Sequence, residues 1–197
     1  MKQKNEDSGD TMMMNRPQGV QEDGDRSGPG DEEIMKKAEE AGKPGPAHQA
    51  LEHFVGDWTA EVKCWREPND PPCISQATAK GAWTLNGRFV QEDFHGDLMG
   101  RRYNGRGLLG YDNIRQTFNS VWMSDMQTSM FVTEGRGEDG NTIITLEGTA
   151  SCPIKERGDI PMKVVLRVLG PDKHTCEMFD VSGGDSRKTM EITYLRA

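Results

Sequence analysis

Asp57-Trp58-Thr59-Ala60-Glu61-Val62-Lys63-Cys64 is the stretch on which the fold turns. Trp58, Ala60, Val62 and Cys64 fall on one side of a period of two, with Asp57, Thr59, Glu61 and Lys63 on the other. That is the pattern of a strand with one face buried and one wet. Just upstream the period is helical: Ala50, Leu51, Phe54 and Val55 share a face within 47–55, and Pro46 suits the first helical position. The chain therefore enters its β structure through a short helix that covers one end of the fold.

Downstream the alternation recurs between turn signals. Asn86-Gly87, Asp112-Asn113, Glu138-Asp139-Gly140, Gly170-Pro171-Asp172 and Gly183-Gly184-Asp185 punctuate it. The spacing predicts strands at 57–66, 74–85, 88–95, 102–111, 116–124, 127–135, 142–151, 160–169, 174–181 and 187–196. Short connections make successive strands antiparallel neighbours, so the simplest topology is an up-and-down meander. A meander of about ten strands twists too strongly to stay open and curls until its first strand meets its last. The fold class expected is all-β, an up-and-down antiparallel β-barrel with a short N-terminal helix. One face of each strand points into a lumen, and alternation alone allows that lumen to be filled or hollow.

Residues 1–46 carry 9 of the aliphatic, aromatic, Met and Cys residues against 57 in 47–197, and they contain no Trp, Tyr, Phe or Cys. Only the later part can bury a core, so the domain is placed at 47–197 behind an acidic tail. The tail mixes Gly, Asp, Glu, Asn, Ser and Pro around a Met12-Met13-Met14 run and is expected to be disordered. Within it, Asp31 can cap a short helix over 31–41 with Gly42 as the stop, and Lys43-Pro44-Gly45-Pro46 marks the boundary.

The net charge of −8 is shared between the tail and the domain and leaves no basic patch, which argues against nucleic-acid binding. No apolar run approaches the roughly 18 residues of a bilayer span, and Met1 to Asp10 is too polar for a secretory signal. A soluble, cytoplasmic protein is expected. Cys64, Cys73, Cys152 and Cys176 lack zinc spacings and read as buried free thiols, with a Cys64–Cys73 disulfide as the alternative if the protein is exported.

Leu51-Glu52-His53-Phe54-Val55-Gly56-Asp57-Trp58 resembles the helix and Gly-x-Trp that open lipocalins and fatty-acid-binding proteins, the calycin barrels. The resemblance implies that Trp58 closes the barrel base beneath Arg196. A longer match runs through Leu85-Asn86-Gly87-Arg88-Phe89, Gly107-Leu108-Leu109-Gly110-Tyr111-Asp112-Asn113, Trp122-Met123-Ser124-Asp125, His174-Thr175-Cys176-Glu177-Met178 and Met190-Glu191-Ile192-Thr193-Tyr194-Leu195-Arg196. Together these segments resemble the bacterial domain-of-unknown-function family numbered 1579. That likeness implies a calycin-like barrel over 47–197 and supplies no catalytic residues. Cys176 departs from it, standing where an aromatic residue is more usual.

Fatty-acid-binding barrels hold a ligand carboxylate with buried Arg and Tyr, which makes Arg88, Arg106, Tyr103 and Tyr194 candidate anchors and Trp122 and Trp83 candidate pocket walls. His48, His53 and His95 read as surface or structural histidines. His174 begins a strand and is placed at a barrel mouth, and because some calycin-like barrels hold haem through one histidine, haem is a minor cofactor alternative. No Gly-x-Ser-x-Gly elbow, metal cluster or phosphate loop is present. Asp125, Glu147, Glu177 and Glu191 are read as solvated or paired with Arg88, Arg106, Arg136 or Arg167.

Three readings follow in order. The first is a binding module enclosing a small hydrophobic or amphipathic molecule. The second is an enzyme acting at the barrel mouth, and the third is a packed barrel serving as an interaction scaffold.

Overall fold

The computed structural model describes residues 30–67, 69–98, 100–152 and 158–197. The acidic stretch before residue 30, with its methionine run, lies outside them. Helix α1 (Asp31–Ala41) is exposed along its length, and its first residue is Asp31, with Gly30 at the cap position and no side-chain cap bond. Asp31 thus joins Glu32 and Glu33 in the first turn, where their charge complements the helix dipole, and does not act as the expected cap. Asn113 Nδ2 ties the end of this segment down by donating to Ala41 O and Lys43 O, each at 2.8 Å.

Helix α2 (Pro46–Gln49) starts with the expected proline and runs straight into a 3-10 turn, Ala50–Phe54. Ten strands follow: β1 (Gly56–Cys64), β2 (Cys73–Thr84), β3 (Phe89–Leu98), β4 (Arg101–Asp112), β5 (Thr117–Ser124), β6 (Phe131–Glu138), β7 (Ile143–Ser151), β8 (Asp159–Gly170), β9 (Lys173–Asp180) and β10 (Arg187–Arg196). Each is antiparallel to the next, and β1 pairs with β10, so the sheet closes into a barrel.

Nine of the ten strand positions agree with the alternation to within about three residues. β6 is the exception, beginning at Phe131 where 127 was expected. The reason is Asp125, whose carboxylate accepts from Asn104 N and Nδ2 at 3.0 and 2.6 Å and holds the chain in a turn.

Register shows which residues point inward. Trp58, Ala60, Val62 and Cys64 of β1 face Ala79, Ala77, Ser75 and Cys73 of β2, and the same parity carries around the barrel through Phe94, Trp122, Leu146, Val164, Cys176 and Tyr194. Cys64 and Cys73 are direct cross-strand partners, and both are free thiols in this structure. Among the described residues no helix is long and apolar enough to cross a membrane.

The entry segment plugs one end. Leu51 is fully buried there, and the chain passes so close to Gly81 that a Cβ on that residue would lie 1.9 Å from Phe54 O. Backbone cannot swing away as a side chain can. Gly81→Ala is therefore expected to cost about 2–3 kcal/mol, read as a melting temperature lowered by roughly 5–10 °C. An unchanged melting temperature would mean that the plug does not sit on β2.

Candidate functional site

The plugged end is sealed by aromatic packing. Trp58 is almost fully buried, donates from Nε1 to Phe54 O at 3.3 Å, and lies 4.2 Å beneath the Arg196 guanidinium. Arg196 is held in turn by Asp172 Oδ1 at 3.1 Å, Pro171 O at 2.8 Å and Val55 O at 3.2 Å. His174 stacks on Tyr194 at 4.2 Å and meets Trp58 and Phe54 edge-on at 4.4 and 5.1 Å.

His174 therefore sits at the closed end, not at an open mouth as its place at a strand start suggested. Odd-numbered strands start at the plug, and β9 is one of them. Burial drives its pKa down to about 3, with Arg196 adding to the effect, and its Nδ1 is buried without a partner. It is a neutral imidazole in an aromatic base, and haem ligation would require that packed cluster to open.

Above the base the interior is different. Here buried residues form two clusters: Trp58, Ala60, Val62, Ala77, Phe94 and Tyr194 on one wall, and Val90, Phe118, Phe131, Ile144, Leu146 and Val164 on the other. Half-buried Trp122 and Cys176 pack against both. The first cluster joins the small side chains of Ala60, Val62 and Ala77 to the rings of Trp58, Phe94 and Tyr194.

Glu92 of β3 lies between these walls. It stands opposite Gly81 and Gly107 in the register, and its Oε1 accepts from Tyr194 OH at 3.0 Å. Burial pushes its pKa up to about 7, against the lowering effect of the Tyr194 hydrogen bond. Burial likewise pushes the Cys176 thiol to about 12, with the Glu92 charge contributing, and raises Tyr194 well above the usual phenol range. Yet Glu92 and Cys176 each keep part of their surface accessible. Glu92 faces the barrel interior between Gly81 and Gly107, which set no side chain against it.

Trp122 walls that space. Its ring lies flat over Gly105 and Gly107, where Cβ atoms would come within 2.2 and 2.8 Å of it, and its Nε1 donates to Tyr103 OH at 2.7 Å. Phe94 stands between the two polar pairs, 6.0 Å from Tyr103, 6.1 Å from Trp122 and 6.5 Å from Tyr194. Glycines in β4 thus let one large indole lie flat against the barrel wall.

Of the expected anchors, Tyr103, Trp122 and Tyr194 face this lumen. Arg106 does not: it points outward and pairs with Asp93 at 2.6 Å, because its inward neighbours are Gly105 and Gly107. Arg88 lies in the β2–β3 turn, donating to Leu85 O and Asn86 O, outside the lumen. Trp83 points its Nε1 to Glu52 at 2.6 Å beside the plug.

Glu177 binds Arg167 at 3.0 Å and shares Lys188 with Glu191 on the outer face. His48 is buried and accepts from Gly45 N at 3.1 Å, while His95 is exposed beside Asn104. Among the described residues no three acidic, His or Cys side chains are grouped to hold a metal. A concavity of about 740 Å³ lies on the outer face of β6 and β7, lined by Arg115, Glu134, Arg136 and Glu147 among others. It is open, and Arg115 and Glu134 already pair there at 2.8 Å.

Glu92 escaped the reading of the sequence, although counting by two from Val90 or Phe94 places it on their inward face.

The sequence model of the family described as "Protein of unknown function (DUF1579)" matches residues 43–196. A search of the curated proteins returned no match. Among solved structures, the chain is similar to the crystal structure of Rv2717c from M. tuberculosis, with 16% identity, a TM-score of 0.57, and coverage of 79% of this chain and 99% of that one. A redesigned beta barrel, b11L5F_LGL, is similar at 13% identity and a TM-score of 0.41, over 75% of this chain and 95% of that one.

Proposed function

Because the chain belongs to the DUF1579 family, whose function is unknown, its role has to be argued from its own interior, and we propose that the barrel binds a small hydrophobic or amphipathic molecule in its lumen. The observation that carries this is an interior split between two apolar clusters, with the polar pairs Glu92–Tyr194 and Trp122–Tyr103 on the inward face of the strands beside them. Apolar enclosure with a few convergent polar groups is the general form of a small-molecule site.

The test is a fluorescence titration with N-phenyl-1-naphthylamine, a neutral amphiphile. Emission should rise and shift to the blue, saturating at one probe per chain. Ser120 lies in β5 opposite Leu109 and Thr133 on the inward face, so Ser120→Trp should fill the lumen and abolish that signal in a variant that still melts cooperatively. A titration with no saturable rise, or one unchanged in that folded variant, would refute binding inside the barrel.

A further inference from the structure

Resting on the binding reading above, we infer that the lumen selects an amphiphile with a hydrogen-bond-donating amine head and excludes fatty acids, through the free oxygen of Glu92. In the structure Glu92 accepts one hydrogen bond, from Tyr194 to Oε1, and Oε2 has no protein donor among the described residues. No Lys, Arg or His among them pairs with it. The inward-facing Arg196 is committed at the base to Asp172 and two carbonyls, and Arg187, at the opposite end, lies 3.3 Å from Asp180. The outward Arg106 is engaged by Asp93.

An isolated buried carboxyl is costly unless a partner reaches it. In this lumen the missing partner is a donor. A primary ammonium offers three N–H groups, one of which Oε2 can accept, while Phe94, the next inward residue of β3, offers a ring face for cation–π attraction. Its positive charge also favours the ionised carboxylate, so amine binding and Glu92 ionisation support each other. A fatty-acid carboxylate brings a second negative charge to the same site. It meets no cation there, whereas fatty-acid-binding barrels supply arginine.

The experiment displaces N-phenyl-1-naphthylamine with three chains of equal length, dodecylamine, dodecanol and dodecanoate, below their micelle concentrations at pH 8. In the native protein dodecylamine should compete at least tenfold more tightly than dodecanoate, with dodecanol between them. Glu92→Gln keeps the shape and removes the charge, and should bring the three within about threefold of one another, each competition being referred to the probe affinity measured in the same variant. Glu92→Leu provides a second variant should the amide fold poorly, with the same loss of ranking. Probe binding combined with equal or tighter dodecanoate binding, or a ranking unchanged in both variants, overturns the amine assignment and leaves the binding reading intact. No probe binding at all overturns both.

Discussion

Trp58→Ala should cost about 3–5 kcal/mol of stability, the range for removing a buried aromatic side chain. The expectation rests on what the indole joins. It is almost fully buried, bonds the plug at Phe54 O, supports the Arg196 guanidinium, and meets His174 edge-on. It also stands at the β1–β10 seam, where Trp58 pairs with Arg196. Removing it opens a cavity, frees the plug and unseats the last residue of β10 together. Trp58→Phe retains most of the packing and should lose about half as much. Urea denaturation measures both. A loss under about 1 kcal/mol for the alanine variant would mean that the base is closed by other contacts.

The second large effect is a dependence of stability on pH set by two buried groups of opposite sign. Glu92 has its pKa raised in the folded state to about 7 from a reference of 4.5. Its contribution is therefore fully present below about pH 4.5 and is lost as pH rises through 7, a loss on the order of 3 kcal/mol. His174 has its pKa lowered to about 3 from 6.5. Its contribution is present above pH 6.5 and is lost as pH falls toward 3.

Between about pH 4.5 and 6.5 the two trends oppose each other, so the native protein should be most stable in that window. Glu92→Gln removes the alkaline limb, and its stability relative to the native protein should climb between pH 5 and 8. Denaturation series at pH 5, 6, 7 and 8 read this directly. Parallel curves for the two proteins would show that Glu92 ionises as easily as an exposed carboxyl.

The fold was legible because side-chain parity survives in most strands. Trp58 to Cys64 and Met190 to Tyr194 alternate cleanly, and the turn at Asn86-Gly87 takes the positive φ values, 56° and 76°, that those residues tolerate. The interior was less legible for two physical reasons. Gln91-Glu92-Asp93 is a polar run in which no contrast marks the inward residue, and it is found only by counting from Val90 or Phe94 or from the register with Gly81 and Gly107.

Two of the inward positions of β4 are Gly105 and Gly107, and a glycine announces no face. Arg106 between them reads as the significant side chain although it points to solvent. Position along the barrel axis was a separate matter. Whether a strand begins at the plug or the open end follows from counting strands from the entry helix, and that count places His174 at the base. The hydrogen bond from Tyr194 to Glu92 joins residues 102 positions apart, on strands with β1 and β2 between them, and no local pattern announces it.

The central claim is a hollow lumen with Glu92 as its polar centre, and the measurement that tests it most directly is a crystal structure of the protein with N-phenyl-1-naphthylamine. The naphthyl ring is predicted between the two apolar walls beside Trp122 and Cys176, with the amine nitrogen within hydrogen-bonding distance of Glu92 Oε2. Side chains filling that space, with the probe absent or seated on the outer groove of Arg136 and Glu147, would contradict it.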